Sequence, residues 1–264
     1  MGKRTADRGG WSISYTEQGS GHPLVLLHGF CGSGAYWDEV VPLLDAHYRV
    51  IVPDLRGHGE SGSPDEAYTI EGMADDIAAL IDELGTEKAI VLGHSLGGYV
   101  TLALAERHSD KLRAFGLVHS MAFPDDEKGK AGRLQAKQTI REQGLSVFIE
   151  GLIPKLFAPA HLESMPEAVK QAKEIGLGTS PEGAMHTLDA MRERPDRNAV
   201  LQSMELPLLL VAGENDQIIP VERTFVVQGD YVTQRLISGA GHMSMMEAPK
   251  ELAQSVRDWV ASFS

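Results

Sequence analysis

Cysteine is nearly absent from this sequence, because Cys31 is the one cysteine among 264 residues. A single thiol excludes a disulfide within the chain, and it cannot supply the paired cysteines of a typical zinc site. No metal site is therefore expected. Chains without disulfides are typical of reducing compartments, so we expect a cytoplasmic protein.

Basic residues are also scarce, with 24 Lys and Arg against 37 Asp and Glu, and the formal net charge is -13. Such a charge repels phosphate backbones and anionic lipid headgroups. No apolar run approaches the roughly 20 residues of a membrane-spanning helix, and residues 1–7 lack the apolar stretch of a signal peptide. We therefore expect neither a nucleic acid nor a membrane as a partner.

The hydrophobic runs that are present are short, and helical patterns separate them. Short continuous runs of this kind indicate buried parallel strands. They fall at 24–27, 50–52, 89–92, 115–118, 208–212 and 235–237. Residues 11–17 instead alternate apolar and polar side chains, which predicts a half-exposed antiparallel strand at an edge of the sheet. The whole pattern predicts an α/β fold with a mostly parallel sheet.

Strand signals stop between about residues 122 and 205, where helical segments are separated by proline and glycine. Ser180 followed by Pro181 and Glu182, for example, is a typical helix start. The segment reads as an insertion of helices into the α/β pattern. We expect residues 1–121 and 206–264 to form the core domain and residues 122–205 to form a helical cap.

Residues 91–98, Val-Leu-Gly-His-Ser-Leu-Gly-Gly, read as a buried strand that ends in Gly-x-Ser-x-Gly and turns directly into a helix. A serine on so sharp a turn needs a strained backbone, and we expect φ above 0° at Ser95. Gly93 and Gly97 avoid the collisions that side chains would make there. The helix directs its free N–H groups at the serine, where an acyl oxyanion would form. We predict that Ser95 is a nucleophile.

A serine hydroxyl becomes an effective nucleophile when a base takes its proton, and a neutral imidazole suits that role near pH 7. His242 follows the last predicted strand, and Asp216 follows the strand at 208–212. Parallel topology brings both to the carboxyl edge of the sheet, where Ser95 lies. We predict Asp216, rather than Glu214, as the carboxylate that orients His242. The order Ser, Asp, His is that of the nucleophile-elbow hydrolases.

Several motifs together resemble the α/β-hydrolase superfamily, and the resemblance spans nearly all of the chain outside the insertion. They are His-Gly-Phe at 28–30, Asp-Leu-Arg-Gly-His-Gly-Glu-Ser at 54–61, the elbow at 93–98, Gly-Glu-Asn-Asp at 213–216 and Gly-His at 241–242. The resemblance implies the α/β-hydrolase fold, with about eight strands flanked by helices. It also implies an oxyanion hole formed by the backbone N–H groups of Phe30 and Leu96.

Within the superfamily the chain is similar to small cofactor-free esterases and lactonases of the 3-oxoadipate enol-lactonase type, so we expect no cofactor. The resemblance implies a small-molecule ester or lactone substrate and an acyl-enzyme intermediate. Dehalogenases and epoxide hydrolases of this fold have aspartate in place of Ser95, and plant hydroxynitrile lyases have lysine in place of Met243. Perhydrolysis, as in haloperoxidase-like members, acyl transfer and a small-molecule receptor are alternatives. The substrate and the oligomeric state, monomer or dimer, stay open.

The substrate pocket is expected to take side chains from the motif loops and from the insertion. A cap over a site must present some apolar side chains inward, and His119 ends a strand at the active edge. The candidate pocket residues are His28, Phe30, His119, Phe123, Phe148, Leu152 and Met243.

Overall fold

The computed structural model describes residues 2–263, in which eight strands form one sheet. The strands are β1 (Lys3–Asp7), β2 (Ser12–Gln18), β3 (His22–Leu27), β4 (Tyr48–Pro53), β5 (Ala89–His94), β6 (Leu112–Val118), β7 (Leu208–Gly213) and β8 (Val232–Ile237). Their spatial order is β1-β2-β4-β3-β5-β6-β7-β8. Strands β3 to β8 pair in parallel, while β2 is antiparallel to both of its neighbours. The expected α/β fold with a mostly parallel sheet is confirmed.

One edge of the sheet differs from the sequence prediction. The segment 11–17 was expected at the edge, but β1 pairs with β2 from Lys3 opposite Thr16 to Asp7 opposite Ser12 and takes that position. Strand β1 reads Lys-Arg-Thr-Ala-Asp, and Ala6 is its only buried residue. A strand this polar has no hydrophobic run by which the sequence could reveal it. The edge assignment of residues 11–17 was therefore wrong.

Helices flank the sheet. In the described part of the chain they are α1 (Ile70–Glu83), α2 (Leu96–Arg107), α3 (Glu127–Gln143), α4 (Leu145–Leu152), α5 (His161–Ser164), α6 (Pro166–Leu177), α7 (Pro181–Glu193), α8 (Asn198–Ser203), α9 (Val221–Thr224), α10 (Ser244–Glu247) and α11 (Pro249–Ala261). Helix α2 is buried from residue 96 to residue 105, because it packs against β5, β6 and α1. This packing fixes the start of α2 at the carboxyl end of β5. None of these helices is long and apolar enough to cross a lipid bilayer.

Helices α3 to α8 lie between β6 and β7 in the chain. Helix α3 packs against α4 and α7. The start of α7 is capped by Ser180, whose hydroxyl accepts a hydrogen bond from the N–H of Gly183 at 3.1 Å. A Cβ atom at Gly183 would lie 2.6 Å from Cα of Gly57, so glycine is what lets α7 approach the loop after β4. The helical segment is thereby held against the α/β core.

Candidate active site

Ser95 lies on a strained turn between β5 and α2. Its φ is 50° and its ψ is -110°, a conformation that side-chain-bearing residues rarely adopt. A Cβ at Gly93 would lie 2.1 Å from the carbonyl oxygen of Gly97, and a Cβ at Gly97 would lie 2.7 Å from that of Leu27. Neither position can accept a side chain without moving backbone. The two glycines thus allow the turn that presents Ser95.

Two segments of the backbone adjoin Ser95, the start of α2 and the loop after β3. Leu96 is the first residue of α2, so its N–H has no carbonyl partner within the helix. Phe30 lies in the loop after β3. This loop runs close to Ser95, as the neighbouring Gly29 shows: a Cβ there would lie 3.4 Å from the Ser95 Cβ. The helix start also directs its positive dipole end towards the serine. The surroundings of Ser95 therefore suit a developing negative charge.

Asp216 and His242 are hydrogen-bonded to each other. Nδ1 of His242 donates to Oδ2 of Asp216 at 2.7 Å, and both side chains are almost fully buried. The other carboxylate oxygen accepts from the N–H groups of Ile218 at 2.8 Å and Ile219 at 2.9 Å. Because Asp216 holds the proton of His242 on Nδ1, Nε2 is the ring nitrogen left to act as a base.

The carboxyl group of Asp216 has a pKa well below its usual range. Burial acts in the opposite direction, but the hydrogen-bonded His242 and the neighbouring His119 outweigh it. Asp216 is therefore ionised at neutral pH. A buried carboxylate in this position stabilises an imidazolium ion on His242.

His119 and His94 surround the same pair. Nδ1 of His119 lies 3.3 Å from Oδ2 of Asp216, and its Nε2 lies 2.7 Å from the hydroxyl oxygen of Ser244. His94 donates from Nε2 to the backbone carbonyl of His242 at 2.9 Å. Burial lowers the pKa of both rings, which favours their neutral forms. Ligand atoms of His119, Asp216 and His242 lie within 4.8 Å of one another and could hold a metal ion. The hydrogen bond from His242 to Asp216 already engages two of these atoms.

Glu247, on the short helix α10, holds the loop that carries His242. Its Oε2 accepts from the N–H groups of Gly241 at 2.9 Å and Met243 at 3.1 Å, the residues on either side of His242. Its Oε1 accepts from the N–H of Ala158 and from Nδ1 of His161, both at 2.7 Å. This fully buried carboxylate therefore joins the His242 loop to the segment before α5.

Ser95 and His242 line one cavity of about 70 Å³. Its walls are formed by Phe30, His94, Ser95, Tyr99, Arg133, Leu152, Leu156, Met191, Ile218 and His242. A second cavity of about 230 Å³ shares three of these residues. It is lined by Phe30, Gly129, Gly132, Arg133, Ala136, Phe148, Leu152 and Leu188.

Three of the candidate pocket residues lie on these walls, namely Phe30 and Leu152 in both cavities and Phe148 in the second. The other candidates, His28, His119, Phe123 and Met243, line neither cavity. His28 is fully buried, and both of its ring nitrogens are hydrogen-bonded within the core. One donates to the carbonyl of Gly29 and the other accepts from the N–H of Leu55. His119 and Met243 are likewise fully buried behind the site. The ring of Phe123 lies under the guanidinium of Arg223, 4.8 Å away.

Sequence reasoning did not single out several residues of the wall. Tyr99 lies one turn after Ser95 on α2, so helical spacing could have identified it. Arg133, Leu156, Met191 and Ile218 come from the helical segment and from the loop after β7, whose packing no motif predicts. Glu247 also carries no motif of its own.

Comparison with known proteins places the fold in a broad group. A family model described as the alpha/beta hydrolase fold matches residues 22–249. A malate-bound structure of a thermophilic esterase from Thermogutta terrifontis has a TM-score of 0.93 at 32% identity, over 99% of each chain.

Curated relatives show similar coverage of this chain. The dihydrolipoyllysine-residue acetyltransferase component of the acetoin cleaving system of Pseudomonas putida is 30% identical, over 95% of this chain and 67% of that protein. The 3-oxoadipate enol-lactonase 2 of Acinetobacter baylyi is 26% identical, over 96% of this chain and 94% of that protein.

Proposed function

The chain belongs to the alpha/beta hydrolase family and is an enzyme of it, and on that premise we propose that it cleaves carboxylic esters or lactones through an acyl-enzyme on Ser95. In this proposal His242 is the general base and acid, and Asp216 orients it. The N–H groups of Phe30 and Leu96 form the oxyanion hole.

The reaction proceeds in two halves. Oγ of Ser95 attacks the carbonyl carbon while Nε2 of His242 takes the hydroxyl proton. The tetrahedral oxyanion accepts hydrogen bonds from the N–H groups of Phe30 and Leu96. When the C–O bond breaks, His242 returns the proton to the leaving alcohol, which in a lactone stays attached to the acyl group. Water then attacks the acyl-enzyme with His242 again as base, and the acid and free Ser95 are released.

The observation that carries the proposal is the common cavity of Ser95 and His242. Ser95 stands on a positive-φ turn at the start of α2, and the ring of His242 is held at 2.7 Å by a buried carboxylate. Each feature alone has a structural explanation. Together they supply a nucleophile, a base and an orienting group in the roles that acyl transfer requires.

The helical segment contributes to the same site. Arg133, Leu152, Leu156 and Met191 belong to residues 122–205 and line the cavity beside Ser95. We therefore assign this segment the role of a cap that shapes substrate selection over a core of residues 1–121 and 206–264. Apolar walls with few polar groups are typical of small-molecule sites.

Replacement of the nucleophile tests the proposal. Ser95→Ala should lower kcat for 4-nitrophenyl acetate on the order of 10³-fold or more, because no acyl-enzyme can form. Ser109→Ala, which removes an exposed hydroxyl, serves as the matched control. A fluorophosphonate should label the wild type and the control stoichiometrically and leave Ser95→Ala unlabelled. Undiminished ester hydrolysis by pure Ser95→Ala would refute the proposal.

A further inference from the structure

Arg133 introduces a charge into an otherwise uncharged pair of cavities. It extends from α3 and lines both the cavity of Ser95 and the neighbouring one. Among the described residues that line either cavity, it is the only arginine, lysine, aspartate or glutamate. The surrounding walls are largely apolar, with Phe30 and Leu152 shared by both cavities. A guanidinium in such a place attracts an anion more strongly than one on an exposed surface.

The local ion pairing leaves one positive charge in excess. Among the described residues, Asp125 is the one carboxylate that pairs with these two guanidinium groups, with Nε of Arg133 at 2.9 Å and Nη1 of Arg194 at 2.8 Å. Arg194 is also engaged with backbone, because it donates to the carbonyls of Met191 at 2.7 Å and Phe123 at 3.0 Å. One carboxylate cannot balance two guanidinium charges, so the group of Asp125, Arg133 and Arg194 keeps a net positive charge.

Arg133 retains donors for a ligand. A guanidinium has five N–H groups in a planar fork; the bond to Asp125 uses the one on Nε, and the hydroxyl of Tyr99 is a second hydrogen-bond partner, so other N–H groups remain for a ligand. The side chain is 26% exposed, so it is neither sealed in the protein nor free in solvent. A carboxylate can accept two parallel hydrogen bonds from such a fork.

We propose that the natural substrates are esters or lactones that carry a free carboxylate in addition to the ester or lactone group. Arg133 binds this carboxylate while Ser95 attacks the acyl carbon. This inference rests on the proposed function of Ser95. The substrate class is then the half-esters of short dicarboxylic acids and lactones with a carboxylate side chain. The small cavity next to Ser95 suits a short acyl group.

Matched esters that differ only in charge test this specificity. Monomethyl succinate, glutarate and adipate carry the carboxylate, and their dimethyl esters do not. Wild type should prefer at least one monomethyl ester to its dimethyl counterpart by about 10- to 100-fold in kcat/KM, the effect of one charged hydrogen-bonded contact. Arg133→Gln should remove this preference by lowering kcat/KM for the monomethyl ester far more than for the dimethyl ester. Arg133→Lys, which keeps the charge, should restore part of it.

Arg192→Gln is the control, because Arg192 on α7 pairs with Asp189 and Glu193 and lines neither cavity. It should retain the preference of the wild type. If Arg133 only held α3 against Asp125, Arg133→Gln would lower kcat/KM for charged and neutral esters alike. Equal losses, or a wild type without preference for any monomethyl ester, would overturn the inference.

Calorimetry with the free dicarboxylates separates this inference from the proposed function. The wild type should bind succinate, glutarate or adipate more tightly than the corresponding diamide, and Arg133→Gln should lose that difference. Such binding without hydrolysis of any ester would contradict the role of Ser95 and support that of Arg133. Hydrolysis of dimethyl esters without this binding would contradict the role of Arg133 alone.

Discussion

The Glu247→Gln substitution examines how the loop of His242 is held. The carboxylate of Glu247 accepts four hydrogen bonds, from the N–H groups of Gly241, Met243 and Ala158 and from the ring of His161. Glutamine has the same shape but keeps one acceptor oxygen, so its NH₂ group would face two of the four donors. Each hydrogen bond to a charged group contributes about 1.5–3 kcal/mol. We expect a loss of about 3 kcal/mol in the free energy of unfolding, since the loop can relax in part.

The assay combines thermal unfolding with ester kinetics. A loss of about 3 kcal/mol corresponds to a decrease in Tm of about 6–12 °C for a chain of this size. At a temperature where the variant is folded, kcat should still fall, because Gly241 and Met243 set the position of the His242 ring. Glu251→Gln, on the exposed face of α11, is the control and should change neither quantity. Unchanged Tm and kcat in Glu247→Gln would refute this reasoning. They would show that the bond from the His242 N–H to the Leu156 carbonyl suffices.

Two further predictions concern ionisable groups of the core and the site. Asp216→Asn should lower kcat on the order of 10⁴-fold with little change in ester binding, because an amide no longer holds the proton of His242 on Nδ1; steady-state kinetics that show less than a tenfold loss would contradict this role. Burial lowers the pKa of His28 to about 4, and its neutral ring accepts a hydrogen bond from Leu55. Since an unfolded histidine titrates near 6.5, only the unfolded chain gains that proton between about pH 6.5 and 4, and stability should decrease by up to about 3 kcal/mol as the pH falls through this range. Urea unfolding at several pH values measures the decrease, and His28→Asn should remove its share of it.

The sequence by itself determined the strands whose side chains are all buried. The strands at 89–92 and 208–212 are buried on both faces of the sheet, so their sequences are continuous hydrophobic runs. Such runs indicate parallel strands. The backbone at Ser95 follows from Gly93 and Gly97, because a side chain at either position would collide with backbone. Strand β1 was missed, since an edge strand can consist of polar residues and still pair through its backbone.

Asp216 and His242 each follow a parallel strand, so the sequence could also predict that they lie at the same edge of the sheet. The tertiary structure decided the rest of the site. The positions of Arg133 and Glu247 depend on how helices that are distant in the chain pack against one another. Such packing leaves no local pattern in the sequence. His119 shows the converse, because a residue at the expected edge lies behind Asp216 rather than on the cavity wall. Local sequence determines the backbone conformation and which residues of a strand or helix are buried. Which side chains from separate elements face one another is decided only when those elements pack.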